Sequence, residues 1–104
     1  MMRKAFKMKL KQGCVVEYKK RHDEIWPELS RLLTEAGIRD YSIYLDEETG
    51  DLFAFQRLTP DNQAAKLPNH PIMKKWWDAN ADLMECNPDN SPVEIPLAEM
   101  FHMD

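Results

Sequence analysis

Between Val15 and Ala36 the apolar and aromatic side chains recur every three or four positions. They fall at Val15, Tyr18, His22, Ile25, Trp26, Leu29, Leu32, Leu33 and Ala36, which places them on one face of a helix. Pro27 lies inside this stripe. A proline there removes the hydrogen bond to the carbonyl of residue 23 and crowds it, at a cost of about 3 kcal/mol unless the helix bends, so a kink is expected near Asp23. The face also carries a phenol, an imidazole and an indole among aliphatic residues. Taken singly, each is a core residue with its polar end satisfied. Together, Tyr18 and His22 stand one turn apart, so a hydroxyl and an imidazole nitrogen reach the same small polar ligand.

The rest of the chain arranges itself around this helix. Phe6, Met8 and Leu10 alternate with Lys7, Lys9 and Lys11, the period of a half-buried first strand over Arg3 to Lys11. Gln12-Gly13 turns into the helix and Gly37 ends it, with Ile38 to Asp40 leading out. Tyr41, Ile43 and Leu45 alternate with Ser42 and Tyr44, and the run Leu52 to Leu58 follows a polar turn, predicting a hairpin. Thr59-Pro60-Asp61 reads as a short helix start stopped by Pro68, and Asn69-His70-Pro71 as a second start. In that second helix Ile72, Trp76, Ala79 and Leu83 form one stripe, with Met73, Trp77 and Met84 about 100° around it. Asn87 to Pro92 is a rigid polar loop, and Leu97 to Met103 reads as a last strand apolar on both faces.

The predicted order is strand, helix, strand, strand, helix, strand. This is the α+β, ferredoxin-like βαββαβ arrangement, a four-stranded antiparallel sheet with two helices on one face, filling residues 1–104 as a single domain. Apolar residues occur on both strand parities: Tyr41 with Tyr44, Ala54 with Phe53 and Phe55, Phe101 with Met100. The helix-free face is therefore expected to be covered by a second sheet, in a dimeric α+β barrel.

Composition narrows the function. A formal charge of −4 gives no broad attraction for nucleic acid or anionic lipid, and the short Lys19-Lys20-Arg21 run is a solvated helix face. No apolar run approaches the ~20 residues that span a bilayer, so no membrane association is expected. Cys14 and Cys86 lie far apart without CxxC spacing, and the amino terminus lacks the apolar segment of a signal peptide; a reducing cytoplasm is expected. His22, His70 and His102 sit on separate elements, so no metal site is expected, and three scattered glycines make no phosphate loop and argue against a nucleotide cofactor. There is no GxSxG, and neither cysteine has a histidine nearby in sequence. What the residues do suit is a neutral polyhydroxy ligand. Aromatic faces such as Trp76-Trp77 cover the C–H faces of a sugar ring, and the Asn87 to Ser91 loop supplies polar partners in Asn87, Asp89 and Asn90. One histidine titrating near neutrality provides what opening a hemiacetal needs, a proton given to the ring oxygen and one taken from the anomeric hydroxyl.

Arg3 to Phe6, Tyr18 to His22, Ile25 to Leu29, Tyr41 to Asp46, Trp76-Trp77 and Asn87 to Val93 together closely resemble the L-rhamnose mutarotases, almost end to end. The resemblance implies a cytoplasmic homodimer of ferredoxin-like subunits that interconverts the α and β anomers of L-rhamnose without a cofactor. It implies further that His22 is the proton donor and that Tyr18, Tyr41, Trp76 and Trp77 contact the sugar. On this basis the pyranose lies against Trp76 or Trp77 with its ring oxygen near a protonated His22, and Asp89, Glu24 or water serves as partner base. The chain departs from the family pattern around Gln63, where relatives often carry a tryptophan. It departs again at Asp78-Ala79-Asn80, which replaces a bulkier Tyr-Met combination, so the pocket wall is expected to differ. Two other classes of function remain in view: a noncatalytic dimeric module that binds a small molecule, and a cofactor-independent oxygenase of the same fold.

Overall fold

A computed structural model describes all residues, 1–104. Strands β1 (Met2–Lys9), β2 (Ile38–Leu45), β3 (Asp51–Leu58) and β4 (Ile95–Leu97) form one sheet in the order β2-β3-β1-β4, every neighbouring pair antiparallel. Helices α1 (Val15–Asp23), α2 (Pro27–Glu35) and α3 (Pro71–Asn80) complete the α+β fold. The alternation read in β1 places Phe6 and Met8 on one buried face, which Leu52, Ala54 and Leu58 of β3 share. Leu10, Tyr18, Leu83 and Met84 join Phe6, Met8, Leu52 and Ala54 in the main core. Leu29 and Leu52 are the largest fully buried side chains, and truncating either to Ala costs about 2–5 kcal/mol. On the opposite face Tyr44, Phe55, Ile95 and Leu97 are 64%, 44%, 51% and 36% exposed.

The single kinked helix is replaced by two helices. Residues before proline are pushed out of the helical region, and Trp26 at φ −59°, ψ 130° has left it fully, so Pro27 begins α2 as its first residue instead of bending α1. The break frees Trp26 to turn its ring edge-on to Trp76, with centroids 5.1 Å apart. Gly37 ends α2 at φ +92°, where an added Cβ would collide with Thr59 Oγ1 and stand 2.8 Å from Asn62 Cβ. That contact also explains why Thr59-Pro60-Asp61 starts no helix. The Thr59 amide donates to Gly37 O, Asn62 Nδ2 donates back to Thr59 O at 2.8 Å, and helical geometry begins only in the 3-10 segment Ala64–Asn69, which contains Pro68. The second start is as read: Pro71 opens α3 and His70 Nδ1 accepts from the Ile72 amide at 3.1 Å.

Two further expectations change. The strand foreseen over Leu97 to Met103 is reduced to Ile95–Leu97, and residues 98–104 run on without regular structure, with Met100, Phe101 and Met103 78–90% exposed. Beyond Leu97 the backbone pairing with β1 gives way to a side-chain contact, Arg3 Nε donating to Glu99 at 2.7 Å. In α3, the buried stripe contains Trp76 and Asn80, while Ala79 faces out.

One irregularity matters for the site. Between Arg39 and Ser42, strand β2 advances three residues while β3 advances two, a bulge in which Asp40 adopts φ +53°. Asp tolerates this left-handed conformation better than most residues. Ile38 pairs with Leu58 on the buried face, and after the bulge Ile43 pairs with Ala54 on that same face. The extra residue therefore turns Tyr41 to the helix side, where it lines the same space as Gln56.

Candidate functional site

Between the buried face of the sheet and the three helices lies a cleft of about 820 Å³ that opens to solvent. Tyr18 and His22 enter it from α1, Tyr41 from the bulged end of β2, and Trp76 and Trp77 from α3, so all five residues expected on the site line one space. Asn90 also lines it, its Nδ2 held by Asp78 Oδ1 at 3.0 Å. Asn87 and Asp89 stay within their own loop: Asn87 Nδ2 donates to Ser91 Oγ at 3.1 Å, and Asp89 accepts from the Ser91 amide at 3.0 Å. Glu24 borders a shallower depression of about 360 Å³ on the outside of α1, among Lys19, Lys20 and Asp23. Neither carboxylate proposed as partner base therefore faces the cleft.

The aromatic groups are packed in series. The Tyr18 and His22 rings stack with centroids 4.1 Å apart, and Trp76 meets His22 edge-on at 5.2 Å. Arg21 holds this arrangement across helices: Nη1 donates to Ala79 O at 2.7 Å and to Asp82 Oδ1 at 2.9 Å, and Nε to Glu17 at 3.0 Å. The last turn of α1 is thereby fastened to the end of α3.

His22 Nδ1 lies 2.9 Å from the carbonyl oxygen of Tyr18. A carbonyl only accepts, so Nδ1 carries a proton and donates it, and the neutral ring presents a bare Nε2. Burial lowers the His22 pKa below 6.5, against the raising influence of that carbonyl and of Asp23. The resting ring at neutral pH is thus neutral, where a protonated one was expected. Both tyrosines move the other way. Burial raises the Tyr18 phenol well above its usual value, helped by Tyr41, and desolvation pushes Tyr41 up to about 12, helped by Glu94 and opposed by a hydrogen bond from Gln56. Both phenols remain protonated donors across the physiological range.

Three further polar residues line the cleft; of these, only Asn80 was named from the sequence, within the Asp78-Ala79-Asn80 segment expected to alter the pocket wall. Gln56 is buried in the β3 row Leu52, Ala54, Gln56, Leu58, and a polar residue at a core-facing parity was the signal available for it. Asn80 is 4% exposed; its Nδ2 donates to Trp76 O at 2.9 Å, while its Oδ1 is buried without a partner. Glu94 lines the cleft with its carboxyl pKa raised by burial, Lys4 opposing. No group of three or more His, Cys, Asp and Glu side chains is arranged to hold a metal ion, and no helix is long and apolar enough to cross a membrane.

Comparison with known proteins places this geometry among relatives. The sequence model of the L-rhamnose mutarotase family matches residues 3–103. An L-rhamnose mutarotase of Bacteroides thetaiotaomicron is 59% identical over 104 residues, 100% of both chains, and one of Jannaschia sp. is 58% identical over 99 residues, 95% of both. Among solved structures, the crystal structure of the L-rhamnose mutarotase from Formosa agariphila superposes with a TM-score of 0.93 at 55% identity, covering 100% of both chains. With identity above one half along the whole chain and the same backbone, the protein belongs to the L-rhamnose mutarotase family.

Proposed function

We propose that this chain interconverts the α and β anomers of L-rhamnose, as a cytoplasmic homodimer of ferredoxin-like subunits working without a cofactor. The observation that carries the chemistry is the bare Nε2 of a half-buried His22, set in a cleft walled by Tyr18, Tyr41, Trp76 and Trp77. The pyranose lies against the indoles. Its anomeric O1–H gives its proton to Nε2 as the C1–O5 bond breaks, and the imidazolium then delivers that proton to O5. O1 and O5 are both bonded to C1, so one nitrogen serves both with a small shift. The product is the open hydroxy-aldehyde, with no net gain or loss of protons. Rotation about C1–C2 and the reverse transfers close the ring on the other face. His22 is thus base and then proton donor in each half of the cycle, and no carboxylate partner is required. The protonated phenols of Tyr18 and Tyr41 donate to sugar hydroxyls and hold the ring through the rotation.

The strand order β2-β3-β1-β4, with the helices packed against one face, supports the ferredoxin-like reading. The apolar residues Tyr44, Phe55, Ile95 and Leu97 on the opposite face support a second sheet packed there. The test is NMR magnetisation exchange between the two anomeric protons of L-rhamnose. Protein-accelerated exchange is the expected result, and a rate equal to that in buffer would overturn the assignment.

A further inference from the structure

We propose that Asn80 determines sugar specificity, its side-chain oxygen accepting a hydrogen bond from one hydroxyl of the bound substrate. The inference deepens the mutarotase reading and rests on it. Asn80 stands one helical turn beyond Trp76 on the buried face of α3 and lines the cleft that holds His22. Its amide orientation is settled by chemistry: the Trp76 carbonyl only accepts, so the nitrogen faces it and the oxygen is the free end. That oxygen is buried and has no partner within the protein. A buried amide oxygen left unpaired is unfavourable, and native structures seldom retain one without a partner supplied from elsewhere. In a cleft that Tyr18, Tyr41, Trp76 and Trp77 share with Gln56, Asn90 and Glu94, an O–H donor on the ligand is a partner of the right chemistry.

The apolar alternative at this position makes the point clearer. A leucine or methionine would fill the same space on a helix face without an orphaned acceptor, and would favour a substrate that presents only C–H there. Asn80 instead rewards a hydroxyl, and a site built to hydrogen-bond a hydroxyl rejects the analogue lacking it far more strongly than an apolar pocket rejects an extra one. The donor is either a ring hydroxyl, which L-rhamnose already carries, or a hydroxyl on C6, where L-rhamnose has a methyl group. A series of sugars distinguishes the two.

The experiment measures kcat/KM for anomer exchange by wild type, Asn80→Leu and Asn80→Met on L-rhamnose, its 2-, 3- and 4-deoxy analogues, and L-mannose, which adds the C6 hydroxyl. The expected result is that one hydroxyl is worth about tenfold to wild type and close to nothing to the two variants, the coupling of a single hydrogen bond. Loss on one deoxy analogue assigns a ring hydroxyl; a gain on L-mannose assigns the C6 hydroxyl. An identical ranking of the sugars by wild type and variants overturns the proposal and leaves Asn80 bound to water alone. Should both variants fail to fold, wild type decides: no hydroxyl worth more than about twofold overturns it equally. Failure of wild type to accelerate L-rhamnose exchange at all is a separate outcome, seen before any analogue is compared, and it removes the parent reading together with this one.

Discussion

His22 donates its Nδ1 proton to the main-chain oxygen of Tyr18, 2.9 Å away and one turn earlier in α1, while its ring stacks on the Tyr18 phenol at 4.1 Å. The same residue thus fixes both the tautomer and the plane of the imidazole. An i to i−4 backbone partner is available only while α1 is helical through residue 22, and α1 ends at Asp23. The break before Pro27 comes just late enough to leave the histidine its anchor.

His22→Gln should fold as wild type and lose about 10²–10⁴-fold in anomer exchange, the usual contribution of a positioned acid-base group. In the wild type, exchange should hold a plateau at neutral pH and fall as the pH drops through the His22 pKa, which burial places below 6.5. An acid limb centred above 6.5 would contradict a base that rests neutral. NMR exchange rates across pH 4.5–8 give both results.

Stability carries the same signature. Because the folded pKa of His22 lies below its unfolded value, the unfolded chain binds more protons in the window between the two, and stability rises with pH there. The contribution is fully present above about 6.5, is lost as the pH falls toward the folded pKa, and changes no further below it. Urea midpoints for wild type should therefore drop on acidification from pH 7 more steeply than those of His22→Phe. Parallel curves would mean that the ring is solvated in solution.

Gly37→Ala should destabilise the fold by at least about 2 kcal/mol. The left-handed φ of +92° alone penalises a side chain by about 1–2 kcal/mol, and the new methyl would meet Asn62 Cα at 2.9 Å, where backbone must move. Chemical denaturation measures the difference, and a loss below 0.5 kcal/mol would show that the 59–62 turn yields easily.

Phe55→Asp places a charge at the centre of the exposed apolar face of the sheet, beside Tyr44 at a ring distance of 5.9 Å. If that face seats a second subunit, sedimentation velocity should find wild type dimeric and the variant monomeric, with far-UV circular dichroism unchanged. A variant that stays dimeric would move the interface elsewhere.

Strand alternation in β1 was legible because one face is buried there, and period-two patterns report burial directly. Tyr18, His22, Trp76 and Trp77 were legible for the matching reason on helices. Three features were not. Pro27 announced a disturbance, but whether a helix kinks or stops depends on whether neighbouring elements reward a straight continuation, and here Trp26 gains more by turning toward Trp76. Ala79 was placed on the buried stripe of α3 by its spacing and its apolar side chain, and Asn80 takes that place instead, since the buried amide keeps one hydrogen bond to its own helix. The apolar carboxy-terminal run resembled a strand in composition, yet a strand needs a neighbour to pair with, and pairing with β1 stops at Leu97.

The single extra residue around Asp40 gives β2 something like a reading frame. Ile38 belongs to one frame and Tyr41, Ile43 and Leu45 to the next, and both satisfy the same buried face only because one position between them is skipped. Most side chains at position 40 would be tolerated at the modest penalty of a left-handed backbone, but the loss of one residue there would send the Tyr41 hydroxyl to the opposite side of the sheet. At position 40 the integrity of this wall of the cleft is held by the presence of a residue more than by its identity. A substitution at Asp40 therefore leaves the Tyr41 side chain on its face, and a deletion there does not.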